Sequence, residues 1–212
     1  MERARELAHG LLSCVSRSTI TGWIVAGGHH FKDWSSAYRL FQGSRLNISE
    51  LFNSVLKQTL SEACKQEENI YVHLDDTLFR KTGKKVSGAK WLRDPLGPPF
   101  QTNLIWGQRF LQISISICKK IGAVTCKTVP IDLVHCPAPV KPRKTDPDKN
   151  WKAYKESQKI MKLSAVGAKR IQVLRKNIDN HGYKDKGLVV CVDGSYTNTT
   201  VLKSLPNNVT LI

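Results

Sequence analysis

Two short apolar runs, each closed by an acid, constrain this chain more than any other feature. Ile70-Tyr71-Val72-His73-Leu74 ends in Asp75-Asp76-Thr77, and Gly187-Leu188-Val189-Val190-Cys191-Val192 ends in Asp193. Runs this short without helical spacing read as buried strands. Between them lie two further strand candidates, Arg109 to Cys118 with alternating Ile113, Ile115 and Ile117, and Gly122 to Val134. A helical stretch over 151–179 follows, with Tyr154, Ile171, Leu174 and Ile178 inward and a break near Leu163-Ser164. A short helix from Asn198 to Lys203 then leads to the apolar Val209-Thr210-Leu211-Ile212. Strands that alternate with helices in this way predict an α/β domain.

Ligands and reacting groups in α/β sheets collect at the C-terminal ends of the strands. Asp76 and Asp193, 117 positions apart, therefore meet if their strands are neighbours. Two converging carboxylates offer the oxygen ligands that Mg²⁺ or Mn²⁺ prefers. An Asp at a strand end also serves as a turn former or helix cap, and spacing alone does not choose between the two.

Residues 1–68 have a different texture and read as a small all-helical domain. Leu7, Leu11 and Val15 recur at helical spacing. Ser18 is placed to cap a second helix that Gly27-Gly28 ends, and a third runs from Asp33 to Gly43. Asn47, with Glu50 three residues on, resembles a capping box for a helix bearing Leu51, Phe52, Val55, Leu56, Leu60 and Ala63. Short helices with Gly-containing turns suit a helix-turn-helix DNA-binding domain and equally a plain helical cap.

Charge narrows the partners. The chain carries 33 Lys+Arg against 17 Asp+Glu, a formal +16. That excludes an acidic or neutral enzyme acting on cations and points to a polyanion. An anionic membrane is the weaker option, because no stretch approaches the roughly 20 apolar residues of a membrane span. Arg80, Lys81, Lys84, Lys85, Lys90 and Arg93 lie together without an acid, and residues 136–186 hold 14 Lys+Arg against 5 Asp+Glu. Such residues contact phosphates and supply affinity rather than sequence information. Four of the nine prolines fall in 136–150, which reads as a loop. The six cysteines form no C-x-x-C pair and read as reduced, buried thiols, and Cys126 with His135-Cys136 is the sole arrangement with any likeness to a metal cluster.

Leu74-Asp75-Asp76-Thr77, followed by Lys81-Thr82-Gly83-Lys84-Lys85 and Gly88, and Val192-Asp193-Gly194-Ser195-Tyr196-Thr197-Asn198 downstream, resemble the catalytic domain of DDE-superfamily transposases of bacterial insertion sequences. The helical stretch with Ser18-Thr19-Ile20-Thr21-Gly22 and Trp34-Ser35-Ser36-Ala37-Tyr38-Arg39 resembles the region that precedes that domain. The resemblance implies an RNase H-like fold over 69–212, with three acids holding two Mg²⁺ (or Mn²⁺) ions that cleave the ends of a mobile element and join them to target DNA. It assigns the first catalytic, metal-binding acid to Asp76 and the second to Asp193, with Asp75 as a supporting neighbour. It places Arg80, Lys81, Lys84 and Lys85 near the scissile phosphate, and implies a bacterial cytoplasmic, nucleoid-associated protein that forms a homo-oligomer on DNA. No covalent protein intermediate is implied, so Ser195 and Tyr196 are expected to be structural.

The family's third acid, a Glu on a later helix, has no counterpart here. Glu156 is the only Glu after Glu68 and precedes the second Asp on a basic helix. The expectation is an N-terminal portion of a transposase, inactive alone. The alternative is a DNA-binding protein without catalysis, either a decayed transposase fragment or a helix-turn-helix regulator using residues 18–42; a resolvase-like nuclease would share the acids but not the Asp-Asp-Thr and Lys-x-Gly-Lys block.

Overall fold

The computed structural model describes residues 2–42, 47–64, 68–94, 96–98, 100–118 and 126–212. The chain divides into two compact units, 1–51 and 52–212. The boundary falls before the expected 68/69, because Leu56, Leu60 and Ala63 of helix α4 (Ile48–Ala63) bury themselves in the same core as the sheet.

The first unit contains α1 (Glu2–Ser13), α2 (Ile20–Ala26) and α3 (Trp34–Leu40) around Leu7, Ile24 and Ala37. Of the apolar positions expected at helical spacing, only Leu7 is buried; Leu11 is exposed on α1, and Val15 lies past the end of α1 at Ser13 and is exposed too. The reason is a backbone approach at Gly10, where a Cβ would lie 1.9 Å from the Trp23 carbonyl oxygen. Such contact rotates α1 onto its Leu7–Gly10 face. Thr19, rather than Ser18, caps α2 by accepting from the Gly22 N–H, while Ser18 Oγ accepts from the Trp23 indole. Asp33 caps α3 as expected. Residues 27–33 between α2 and α3 make a longer link than the three or four residues of a helix-turn-helix turn.

Helix α4, which runs from the first unit into the second, opens on the reciprocal Asn47 and Glu50 contacts foreseen from sequence. The sheet has six strands: β1 (Asn69–Arg80), β2 (Lys90–Arg93), β3 (Leu104–Cys118), β4 (Cys126–His135), β5 (Gly187–Val192) and β6 (Val209–Leu211). The order is β3-β1-β5-β6, and β2 and β4 share the outer edge of β3, β2 on its first four residues and β4 from Phe110 onward. β1, β3 and β4 form an antiparallel meander, whereas β5 runs parallel to β1 and β6 parallel to β5. β2 lies inside the basic stretch, where the sequence offers no alternation to announce it.

Helices α5 (Asp148–Ile160) and α6 (Leu163–Asn180) connect β4 to β5, with the break at Met161-Lys162. α6 buries Gly167, Ala168, Ile171, Leu174 and Ile178 in the core with Val72, Leu74, Ile113, Ile115 and Val190. A bulge in β4 pairs Ile113 with Asp132 and Ser114 with Pro130, so Ile131 has no partner across the ladder. Proline is tolerated there because a bulge frees its position from donating. Asp132 then accepts both Nε and Nη2 of Arg170, each at 2.6 Å, which ties α6 to β4. The cysteines depart from the expected set of buried thiols: Cys136 is buried, Cys14, Cys64 and Cys191 are half-buried, and Cys126 is disulfide-bonded. The β3–β4 register pairs Cys118 with Cys126.

A short η1 turn (Gly194–Tyr196) and α7 (Thr199–Leu202) join β5 to β6. Removing Asp132 leaves the Arg170 guanidinium without its bidentate partner, so Asp132→Ala should lower unfolding stability by about 2–3 kcal/mol. Glu156→Ala, on the exposed face of α5, should stay within about 0.5 kcal/mol; urea denaturation monitored by circular dichroism checks both.

Candidate active site

β1 does not stop at its acids. Its parallel pairing with β5 ends at Leu74–Val192, but its antiparallel pairing with β3 continues to Arg80–Gly107. Asp76 therefore sits inside a strand, just past the point where the neighbouring β5 leaves off. Side chains alternate along a strand, and Ile70, Val72 and Leu74 are buried, so Asp76 lies on the core face, over the edge of the core. Asp75 lies on the opposite face and accepts the Asp76 N–H at 2.8 Å.

Register brings two unforeseen side chains to Asp76. Leu78 pairs with Arg109 across β1 and β3, which puts Arg109 on the same face, with Nε 3.5 Å from Asp76 Oδ2. That Nε is buried and makes no hydrogen bond among the described residues, so the guanidinium faces Asp76 through charge. Tyr196 lies three residues after Asp193, is 2% exposed, and donates its hydroxyl to Asp76 Oδ1 at 3.1 Å. Gly167 of α6 makes room for its ring, since a Cβ there would stand 3.2 Å from two ring carbons. Burial, the Asp76 charge and the hydrogen bond to Asp76 all push the Tyr196 phenol far above its usual range, so the residue is a permanent donor.

Asp193 follows the last residue of β5 and precedes η1 with an extended backbone, exposed and without a capping hydrogen bond. It stands at the same end of the β1–β5 pair as Asp76. Its place in the register is level with Asp75, one residue past Leu74–Val192; the link from its segment to Asp76 runs through Tyr196. Glu156 is exposed on α5, away from any role in this cluster.

The basic residues divide between the two sheet faces. Arg80 shares the face of Asp76, four residues further along β1. Lys81 stands over the Phe79 ring on the other face, 5.9 Å from its centroid. Residues 83–88 fold back over that face, held by Trp106 Nε1 on the Gly83 carbonyl and Gln108 Nε2 on the Ser87 carbonyl. The loop carrying Lys84 and Lys85 thus lies across the sheet from Asp76, not beside it. Lys90 is engaged with the Pro139 carbonyl at 2.6 Å, and Arg93 is exposed on the face of Trp91. None of this could be read without the β1–β3 register.

Mg²⁺ is commonly held by one or two carboxylates, with water and substrate phosphate completing its shell. A carboxylate offers about four lone-pair sites, and Tyr196 and Arg109 face one oxygen each. By donor type, the carboxylate oxygens of Asp76 and Asp193 are of the kind such an ion takes. Among the described residues, no group of three or more His, Cys, Asp or Glu converges on one point, at Cys126, His135 and Cys136 or elsewhere. No helix among them is long and apolar enough to cross a membrane.

Tyrosine ionises near pH 10 when unfolded, whereas Tyr196 stays protonated in the folded chain. Its contribution to stability is therefore complete below pH 10 and lost as pH rises above it. Tyr196→Phe should cost about 1–2 kcal/mol at neutral pH and flatten the alkaline fall, both measured by urea denaturation across pH.

No family model matches the chain, and no curated protein matches it. Among solved structures it is similar to the Mos1 transposase paired-end complex with left transposon end, at 13% identity and a TM-score of 0.29. The likeness covers all of this chain and 58% of that one, so the chain spans less than two thirds of the neighbour's length.

Proposed function

We propose that the chain is part of a DDE-superfamily transposase, with residues 69–212 belonging to an RNase H-like catalytic domain that cuts and joins DNA in a metal-dependent reaction. One observation carries the reading: two acids singled out by their sequence blocks, Asp76 and Asp193, stand at the same end of the adjacent parallel strands β1 and β5. The formal +16 supplies the matching affinity for a polyanion.

Asp76 and Asp193 hold Mg²⁺ or Mn²⁺ in this reading. When bound, such ions supply positive charge to the attacking and leaving oxygens of an in-line phosphoryl displacement. The chain's own groups prepare the site. Tyr196 fixes the Asp76 carboxylate by its donated hydrogen bond, and Arg109 neutralises it from the other side. The Arg109 side chain stays partly exposed, and a phosphate oxygen is a natural acceptor for a guanidinium. Arg80, exposed on the same face, adds a phosphate contact further along β1.

A second reading, DNA binding without catalysis, is favoured by the same Arg109, because a guanidinium against Asp76 stabilises the carboxylate with no ion at all. Titration of the chain with Mn²⁺, followed by electron paramagnetic resonance, separates the two. Saturable binding that Mg²⁺ displaces, weakened by roughly an order of magnitude or more in Asp76→Asn and in Asp193→Asn, is the expected outcome. Equal Mn²⁺ binding by the unsubstituted chain and both variants would leave the non-catalytic reading standing.

A further inference from the structure

The sheet face turned away from Asp76 carries chemistry that the proposed reaction does not use. The register places Thr77, Phe79, Gln108, Phe110, Trp106 and Trp91 on it together. Trp91 and Trp106 meet edge-to-face at 5.8 Å, as do Phe79 and Phe110 at 5.3 Å. Trp91 is nevertheless 65% exposed and Phe79 46% exposed. Large aromatic surface left in water at the centre of a basic patch marks a recognition site rather than a core.

The cations are arranged around these rings. Lys81 sits over Phe79, Arg93 is two residues from Trp91 on the same face of a four-residue strand, and Lys84 and Lys85 are exposed on the loop folded across the sheet. That loop is held in place rather than free. Besides the Trp106 and Gln108 hydrogen bonds, Gly88 adopts φ +72 and lies so close to His135 that a Cβ would stand 2.3 Å from its ring. A side chain at 88 would lift the loop off the face.

We infer that this face, centred on Trp91 and Phe79 and rimmed by Lys81, Lys84, Lys85 and Arg93, binds unpaired nucleobases of single-stranded DNA. The occupant follows from charge and shape. Residues 80–93 carry six cations and no acid, which suits a phosphate backbone, and exposed rings interleaved with cations are the stacking platform that single strands use. A duplex keeps its base faces stacked inside, so it has no ring face to lay on such a surface. The inference rests on the reading of the chain as a DNA-handling protein, and assigns a second contact on the sheet face opposite the metal site.

The test is fluorescence anisotropy of a labelled oligothymidylate and a blunt duplex of equal length, with the full chain in EDTA, so that it does not depend on Asp76, Asp193 or metal. Trp91→Ala should weaken the single strand about tenfold and leave the duplex unchanged, with Trp91→Phe restoring most of the loss. Lys84→Gln with Lys85→Gln should weaken both ligands and flatten the salt dependence. Trp91 is exposed enough for its removal to leave the fold intact, which circular dichroism verifies. Unchanged oligothymidylate binding by a folded Trp91→Ala chain would overturn the inference, as would equal losses for strand and duplex. So would a Trp91→Ala chain that keeps its single-strand affinity but loses self-association in sedimentation, since the face would then be a protein interface. Loss of Mn²⁺ binding in Asp76→Asn is a separate readout, so either proposal can fail without the other.

Discussion

The two unequal pairings of β1 organise the second unit. On one side the strand is matched in parallel to β5 for six residues, and on the other it is matched to β3 for nine. The parallel ladder fixes the core, because Ile70, Val72 and Leu74 face Leu188, Val190 and Val192 in register. Where β5 leaves the sheet, the antiparallel ladder keeps β1 extended, and the next core-facing position is Asp76. A carboxylate at that place meets protein on one side and open space on the other. A fully buried one would demand a neutralising partner for every oxygen; a fully exposed one would be loosely held.

The surroundings of Asp76 show how that half-exposed position is managed. Tyr196 reaches it from the turn after β5, Arg109 from β3, and the ring of Tyr196 occupies the space left by Gly167 on α6. Three separate elements thus fix one side chain, which is the rigidity expected of a preorganised site. Burial and the Asp76 charge push the phenol's ionisation well up, so the hydrogen bond runs from hydroxyl to carboxylate.

Much of the second unit is visible in its sequence. The alternation of Ile113, Ile115 and Ile117, the unbroken apolar run before Asp193 and the inward spacing of Ile171, Leu174 and Ile178 each correspond to a buried face. The signals that failed were those that depend on partners. The apolar run of β1 ends at its acids, yet pairing with β3 carries the strand through to Arg80. Arg109 gave no sign of its role, since only the β1–β3 register sets it against Asp76. Tyr196 did leave a trace: a large aromatic within the otherwise small and polar Gly194-Ser195-Tyr196-Thr197-Asn198 needs a pocket, and the pocket is beside Asp76. Leu11 shows the converse, a helical spacing from Leu7 that holds on α1 but whose inward face is decided by Gly10.

The outer border of β3 has a consequence for the behaviour of the chain in solution. It is covered in tandem by the four-residue β2, with Lys90 and Arg93 at its ends, and by the ten-residue β4, interrupted by its bulge at Pro130. Neither offers a long, flat row of free amide and carbonyl groups to another molecule, and charge and proline are the residues that discourage such docking. The protein can therefore display tryptophan and phenylalanine on an open sheet face while its rim resists the strand-to-strand growth that leads to fibrils.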